Sequence, residues 1–446
     1  MRRVTILLLC SIIFTCCTKD NTLSYLNIDK TTLDFNQDCT INDDTFVVTA
    51  NTDWEIGGIE SWFILSQSNG SGDAIITVTV LEPNLSDSEK RATITIKSPS
   101  SITNPKELTI TQAKSVDIFA FMDDAIFREY CKVFDTNSDG KLSPAEANVV
   151  TRIYVSYKGI ESLKGIEYFA ALEQLRCDNN NLSSLNLSSN LSLSYLTCHH
   201  NNLSGLDISK NIALIWLDCS YNNLAGLDVT KNTALTYLHC NNNNLNSLDI
   251  SKNTVLSHLY CFENKLTGLD ITKNTALITL DCSTNKLTSL DVTKNTALIT
   301  LDCSTNDMNT LDLTENIDLS YLNCDDNNLT SLDLSKNTIL RVLICSNNNI
   351  NNLEISNNSD LTELGCEYNN LSSLYVSKST ALKELRCNNN SLTGLDISKN
   401  TILGSLACYN NLNLTTISVW SGFDLINPLN SIAFIQKDNH SNFVVI

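Results

Sequence analysis

Three groups of residues in this chain have the types and spacing that chemistry needs. Asp135, Asn137, Asp139, Ser143 and Glu146 fall at positions one, three, five, nine and twelve of a loop with Gly140 at its sixth place. Oxygen donors at those offsets, a carbonyl from Lys141 at seven and a glycine for the sharp turn are what a hard cation such as Ca²⁺ requires, and Leu142 adds an apolar residue at eight. A second group is aromatic: Tyr195, Trp216, Tyr237 and His258 recur at intervals of 21 residues, accompanied by His239, Tyr260, His199 and Phe262. Rings with polar tips suit a binding surface when exposed. Cross-strand packing on a sheet surface is the other reading of the same residues. The third group is a series of twelve cysteines, Cys177 to Cys408, again at a spacing of 21.

Those cysteines sit in a pattern, L-x-x-L-x-C-x-x-N-x-L-x-x-L-D-[LIV]-x-x-N-x-x, that runs from Leu172 to about Phe423. A fixed period of this length predicts a solenoid, because a single coil could not bury its apolar edge without neighbours. Leu at positions one, four, eleven and fourteen, Cys at six and Leu, Ile or Val at sixteen then point inward. Cysteines in register on adjacent parallel strands lie about 4.8 Å apart, a poor match to the Cβ approach of roughly 3.8 Å in a disulfide. They are expected to be reduced, buried, small hydrophobes, in a reducing setting or sealed too deeply to oxidise. A metal ladder is disfavoured, since no second cysteine or histidine shares the core face of a repeat. Asn at position nine, Asn180 through Asn411, is present in all twelve repeats; its amide is expected to bridge backbone between coils. The nested pattern resembles the IRREKO class of bacterial leucine-rich repeats. That resemblance implies a right-handed leucine-rich-repeat solenoid of twelve 21-residue repeats, two short parallel strands per coil, over residues 172–423, with a C-terminal cap over 424–446.

The aromatic group falls at positions three, five and seven, which point out of the coil, so the rings concentrate on the strand face of repeats two to five. The histidines there are not expected to form a metal or catalytic site: His239 and His258 differ by one strand and two residues, roughly 8 Å of backbone. No nucleophile motif, phosphate loop or zinc signature occurs elsewhere, so an enzyme is not expected. Position fifteen gives a row of carboxylates that includes Asp207, Asp228, Asp249, Asp270, Asp291, Asp312 and Asp333, with Lys at eighteen (Lys210, Lys231, Lys252) placed to offset their repulsion.

Ahead of the repeats, residues 23–114 alternate with period two, as in Ile76, Val78 and Val80 against Thr77 and Thr79, which predicts a small antiparallel sandwich. Ala50-Asn51-Thr52-Asp53-Trp54-Glu55-Ile56, Trp62, the loop Ser68 to Gly72 and the closing Leu108 to Gln112 make this stretch similar to the BACON domain, which implies an immunoglobulin-like β-sandwich and, loosely, carbohydrate association. Residues 116–171 read as a helical segment and N-terminal cap. Phe119, Met122, Ile126, Tyr130 and Phe134 lie at helical spacing, the loop from Asp135 to Glu146 resembles an EF-hand, and Ile160, Leu163 and Ile166 begin a degenerate coil.

Arg2 and Arg3, the apolar run from Val4 to Phe14 and the small residues up to Cys17 predict a signal over residues 1–17. Phe14 to Asn21 resembles a lipobox, and Thr18-Lys19-Asp20 looks like a lipoprotein start of the Bacteroidota. This implies lipidation at Cys17, with Cys16 the other candidate, and a lipid anchor at the outer membrane or cell surface. With 30 Lys+Arg against 49 Asp+Glu in 446 residues, a nucleic-acid partner is not expected. The expected function is ligand binding, of a protein or a glycan, on the strand face, with Ca²⁺ as a structural ion. The alternative is an envelope spacer or adhesion stalk with no discrete ligand.

Overall fold

The computed structural model describes residues 23–37, 42–84, 86, 88–99 and 103–446. The expected signal and Cys16 and Cys17 lie outside them. The chain divides into two compact units, Met1–Val116 and Asp117–Ile446.

In the first unit, strands β1 (Leu26–Ile28), β2 (Thr32–Phe35), β3 (Asp43–Ala50), β4 (Asp53–Gly57), β5 (Phe63–Leu65), β6 (Asn69–Ser71), β7 (Ala74–Val80), β8 (Lys90–Lys97) and β9 (Lys106–Gln112) form two sheets, ordered β1-β3-β7-β5 and β2-β9-β8-β4-β6. Strand alternation puts Phe46, Val48, Ile76 and Val78 of one sheet against Ile94, Ile96, Leu108 and Ile110 of the other in one buried core. Trp54 anchors that core, its indole N–H donating to the Gly72 carbonyl at 2.8 Å. A Cβ on Gly70 would lie 2.4 Å from the Trp54 ring, so the neighbouring strand needs glycine there. The expectation of a wholly antiparallel sandwich is corrected at β2, which pairs with β9 in parallel. The chain leaves β1 at Ile28 and joins the other sheet at Thr32 without a hairpin to reverse it.

The second unit opens with a 3₁₀ turn (Ile118–Phe121), helix α1 (Ala125–Cys131), a second 3₁₀ turn (Lys132–Phe134) and helix α2 (Pro144–Ala147). One face carrying Phe119, Met122, Ile126, Tyr130 and Phe134 does not form, because Asp124 breaks the run and caps α1, accepting from the N–H groups of Ile126 and Phe127 at 2.8 and 2.9 Å. With the helix restarted there, Phe127 and Cys131 are buried and Ile126 is exposed.

Fourteen parallel strands then form a single sheet in chain order, broken only where Gly394–Asp396 and Thr416–Val419 join a separate sheet. The first six are β10 (Arg152–Tyr154), β11 (Gln174–Arg176), β12 (Tyr195–Thr197), β13 (Trp216–Asp218), β14 (Tyr237–His239) and β15 (His258–Tyr260). Twelve of the fourteen come from the 21-residue repeats; β10 precedes them and Phe434–Gln436 follows. Every repeat cysteine is fully buried and free. Burial pushes these thiols up, Cys240 to about 12, so they stay protonated and inert.

Two amide ladders hold the coils together. Asn285 is typical of position nine: its Nδ2 donates to the carbonyls of Cys282 at 3.1 Å in its own coil and Cys261 at 3.0 Å in the coil before. Its Oδ1 accepts the Leu266 N–H at 3.0 Å. At position nineteen, Asn211 Nδ2 donates to Leu187 O at 3.0 Å and Asn190 O at 2.9 Å. Ser379, which replaces Asn in the tenth repeat, keeps one such bond, to Asn358 O at 3.1 Å.

The second ladder accounts for a difference from the expected two strands per coil. In the later half of most coils side chains, not a neighbouring strand, satisfy the backbone. Asn211 takes the Leu187 carbonyl, and Asp207 accepts the Ser209 N–H at 2.9 Å in a local turn. Regular strands on that side occur only as the three-stranded sheet Gly394–Asp396, Thr416–Val419 and Asn442–Val445, with isolated bridges at Asn186–Asp207 and Tyr375–Asp396.

Candidate binding face and cation loop

In the loop from Asp135 to Glu146 the oxygen-bearing side chains fold onto one turn. Asp135 accepts from the N–H groups of Asp139 at 3.2 Å and Gly140 at 2.9 Å, and Asn137 Oδ1 accepts from Asp139 N–H at 2.9 Å. Asp139 accepts from Lys141 N–H at 2.8 Å. Glu146 reaches back across the loop: one oxygen accepts from Thr136 N–H at 2.9 Å, the other from Ser143 N–H at 3.0 Å. It closes a capping box with Ser143 at the start of α2. Partial burial raises its pKa, but the Ser143 bonds and those from Asn137 and Thr136 outweigh this and hold the carboxyl low. Gly140 has φ +82° with open space at its Cβ, so the backbone angle, not crowding, calls for glycine. Leu142 is buried, and Ile118 N–H donates to its carbonyl at 2.8 Å, tying the loop to the start of the unit. The donor set is all oxygen on one short loop, which fits a hard cation and no soft one. Among the described residues no group of three or more His, Cys, Asp or Glu side chains is arranged to hold a metal. Asp135, Asp139 and Glu146 instead accept backbone N–H groups of the loop and are not gathered about one point.

The aromatic face follows from the register. Adjacent parallel strands place equal repeat positions about 4.8 Å apart, and pairing sets Tyr195 opposite Trp216, Trp216 opposite Tyr237, and Tyr237 opposite His258. Their rings stack as one column, with centroids 5.6, 4.5 and 4.3 Å apart. His239 and Tyr260 form a second column beside it, 4.4 Å apart, joined to the first where His239 stacks on Trp216 at 5.4 Å. All six rings and Phe262 are half-buried. Burial lowers the pKa of His239 and of His258, which favours neutral imidazoles. The Trp216 indole N–H is sealed among its neighbours with no acceptor among the described residues.

Arg176, the pair His200 and Tyr221, and the carboxylate partners of His199 were not singled out by sequence reasoning. The Arg176 guanidinium lies over the rings of Tyr154 and Tyr195, at 5.0 and 5.2 Å, and so extends the first column. His200 stacks on Tyr221 at 4.1 Å in the adjoining turn. His199 is clasped between two carboxylates, its Nδ1 3.1 Å from Asp218 Oδ2 and its Nε2 3.7 Å from Asp178 Oδ2. The nearer contact becomes an ion pair when the imidazole is protonated. Asp218 raises the His199 pKa against the opposing effect of burial. Asp178 is anchored by Ser156 Oγ at 2.7 Å and Thr197 Oγ1 at 3.0 Å. The signal for this clasp lay partly in its own column, position seven against seven of the repeat before, and partly on a diagonal, seven against five of the next.

The carboxylates at position fifteen have a local role. Asp228 accepts from Thr230 Oγ1 at 2.6 Å and Thr230 N–H at 2.9 Å, and these bonds, ahead of the Lys231 charge, hold its pKa low. Lys at eighteen is a lesser influence than the turn itself.

No family model matches the chain, and no curated protein matches it in sequence. Solved structures do. The functional domain of InlJ from Listeria monocytogenes, which includes a cysteine ladder, superposes with a TM-score of 0.62 at 34% identity, over 69% of this chain and 76% of that one. The internalin InlF of the same organism gives 0.61 at 22% identity, over 73% and 97%. The plant peptide hormone receptor RGFR1, in complex with RGF2, gives 0.51 at 20% identity, over 63% and 54%. Column of cysteines, asparagine ladders and parallel strand face together make this chain a member of the leucine-rich-repeat family, in the cysteine-ladder form found in InlJ.

Proposed function

We propose that this is a non-enzymatic binding protein whose solenoid recognises a protein ligand on the outward strand face between Tyr195 and Phe262. The observation that carries the proposal is the pair of stacked ring columns on β12 to β15. Stacking makes a rigid platform whose side chains lose little further freedom on binding. The buried Trp216 N–H without an acceptor supports the same reading: plain packing gains nothing from a cost of about 1–3 kcal/mol, whereas local rules are commonly broken at functional sites. RGFR1, similar in fold alone, is a receptor for a peptide.

The loop from Asp135 to Glu146 would hold Ca²⁺ through Asp135, Asn137, Asp139, the Lys141 carbonyl, Ser143 and Glu146, and so stiffen the segment leading into the solenoid. Lipidation at Cys17 would anchor the chain to the outer membrane or cell surface, and the N-terminal unit would act as a spacer. No helix among the described residues is long and apolar enough to cross a membrane.

The test is selection of ligands from a displayed protein library on the chain lacking its first 17 residues, repeated with the Trp216→Ala/Tyr237→Ala/Tyr260→Ala variant. Ligands that bind the parent and lose at least tenfold in affinity on the folded variant support the proposal. Equal binding to both would move the site off this face, and no selected ligand at all would favour the spacer.

A further inference from the structure

Beyond the ring columns the same face turns acidic. Asp281 follows Tyr260 in register at position five, and Asp302 follows Asp281, so two carboxylates stand opposite one another on adjacent strands. Ser283 and Ser304 hold one oxygen of each, through Oγ at 2.7 and 2.6 Å, and Asn323 Nδ2 reaches the other oxygen of Asp302 at 3.0 Å. Among the described residues no Lys, Arg or His side chain pairs with either. Tyr321, on the strand beyond, completes an aromatic flank on the far side, and Asp302 and Asp281 both raise its hydroxyl pKa after burial does. Burial raises the Asp281 pKa, the Ser283 bonds oppose it, and Asp302 opposite adds to it, so the pair repels itself with no cation beside it among the described residues.

The chain itself shows what such a face accepts. At the N-terminal end of the position-five row, Arg176 lies on the rings of Tyr154 and Tyr195. Towards its C-terminal end, Arg386 is gripped by Glu363 at 3.0 Å, Glu367 at 3.4 Å and Glu384. Rings and carboxylates on this sheet each bind a guanidinium within the molecule; from Trp216 to Asp302, rings and carboxylate pair lie side by side with none among the described residues.

We infer that the occupant of this face is an extended basic segment of a partner protein, its Arg or Lys heads on Asp281 and Asp302 and their stems across Tyr260, Tyr237 and Trp216. This rests on the strand-face reading above and gives it a partner chemistry. Charge complementarity argues for the basic segment over a neutral glycan, whose hydroxyls can donate to the carboxylates but bring no positive charge to offset their mutual repulsion.

The experiment measures fluorescence anisotropy of labelled (Gly-Arg)₅, (Gly-Glu)₅ and maltohexaose with the chain lacking its first 17 residues. Because the chain carries a net charge of −19, general attraction is controlled by Asp270→Asn/Asp291→Asn, which removes the same charge from the position-fifteen edge. The inference expects binding of (Gly-Arg)₅ alone, weakened at least tenfold by Asp281→Asn/Asp302→Asn and less than twofold by the control. Asp281→Asn/Asp302→Asn should also melt close to the parent, since relief of like-charge repulsion and the serine bonds kept by an amide oxygen offset the loss of the Asn323 bond to Asp302. Equal weakening by both double variants, or binding of maltohexaose in place of the peptide, overturns the inference. If Trp216→Ala/Tyr237→Ala/Tyr260→Ala abolishes peptide binding while Asp281→Asn/Asp302→Asn does not, the charge assignment fails and the face survives. If no face variant changes binding, the face reading falls with it.

Discussion

The residue before each position-nine asparagine has a left-handed backbone, with φ between +48° and +55° in all twelve repeats, yet none of these residues is glycine. Thr284 and Thr305 are the least suited, because a β-branched side chain crowds its own backbone there. Thr284→Asn should therefore stabilise the protein by about 1 kcal/mol, read as a higher urea midpoint at unchanged slope. His199 gives a pH-dependent test. Its folded pKa is raised above the ordinary 6.5 by Asp218 and then Asp178, so its stabilising effect is complete below about 6.5 and is lost as pH rises through the folded value. His239, whose charge opposes it, is lowered by burial and loses stability in the other direction, as pH falls. The fall in melting temperature between about pH 6 and 8 should accordingly be smaller in His199→Gln than in the parent. At this scale the sequence was informative wherever a residue acts with its own column, as Tyr237 does with Trp216 and His258. It was silent where contacts run diagonally, as from His199 to Asp218, because a repeat alignment compares like positions only.

At the scale of the coil, the amide ladders join neighbouring coils alongside the strand pairing. Asn243 donates to Cys219 and Cys240 carbonyls, at 3.1 and 3.2 Å, and accepts the Leu224 N–H at 3.0 Å. Asn243→Leu leaves these buried groups without partners and should cost roughly 3 kcal/mol or more, measured by denaturant unfolding. The period made the inward Leu and Cys positions legible. It could not reveal that the second half of the coil is mostly irregular, since Asp and Asn there capture backbone groups a second strand would have used. For the same reason the helix expected across Phe119 to Phe134 breaks: Asp124 competes for backbone N–H groups, and that competition overrides the apolar spacing. The cation loop is a prediction at this scale too. Saturating Ca²⁺ should raise the melting temperature of the parent and leave Asp135→Ala unchanged; an equal rise in both would remove the site.

Across the whole solenoid the buried core runs from Ile118 to Ile432 without interruption, and the cysteine ladder lies inside it. The thiols should resist alkylating reagents in the native state and react together only as the molecule unfolds. That core fixes which side chains face outward, the strand-face rings and the position-fifteen edge among them. The most direct measurement is the amide hydrogen-exchange footprint of a ligand selected on the intact protein. Protection should concentrate on strands Tyr195–Thr197, Trp216–Asp218, Tyr237–His239 and His258–Tyr260 and continue to Asp281 and Asp302. Protection confined to the position-fifteen edge, the cation loop or the N-terminal sheets would contradict the account.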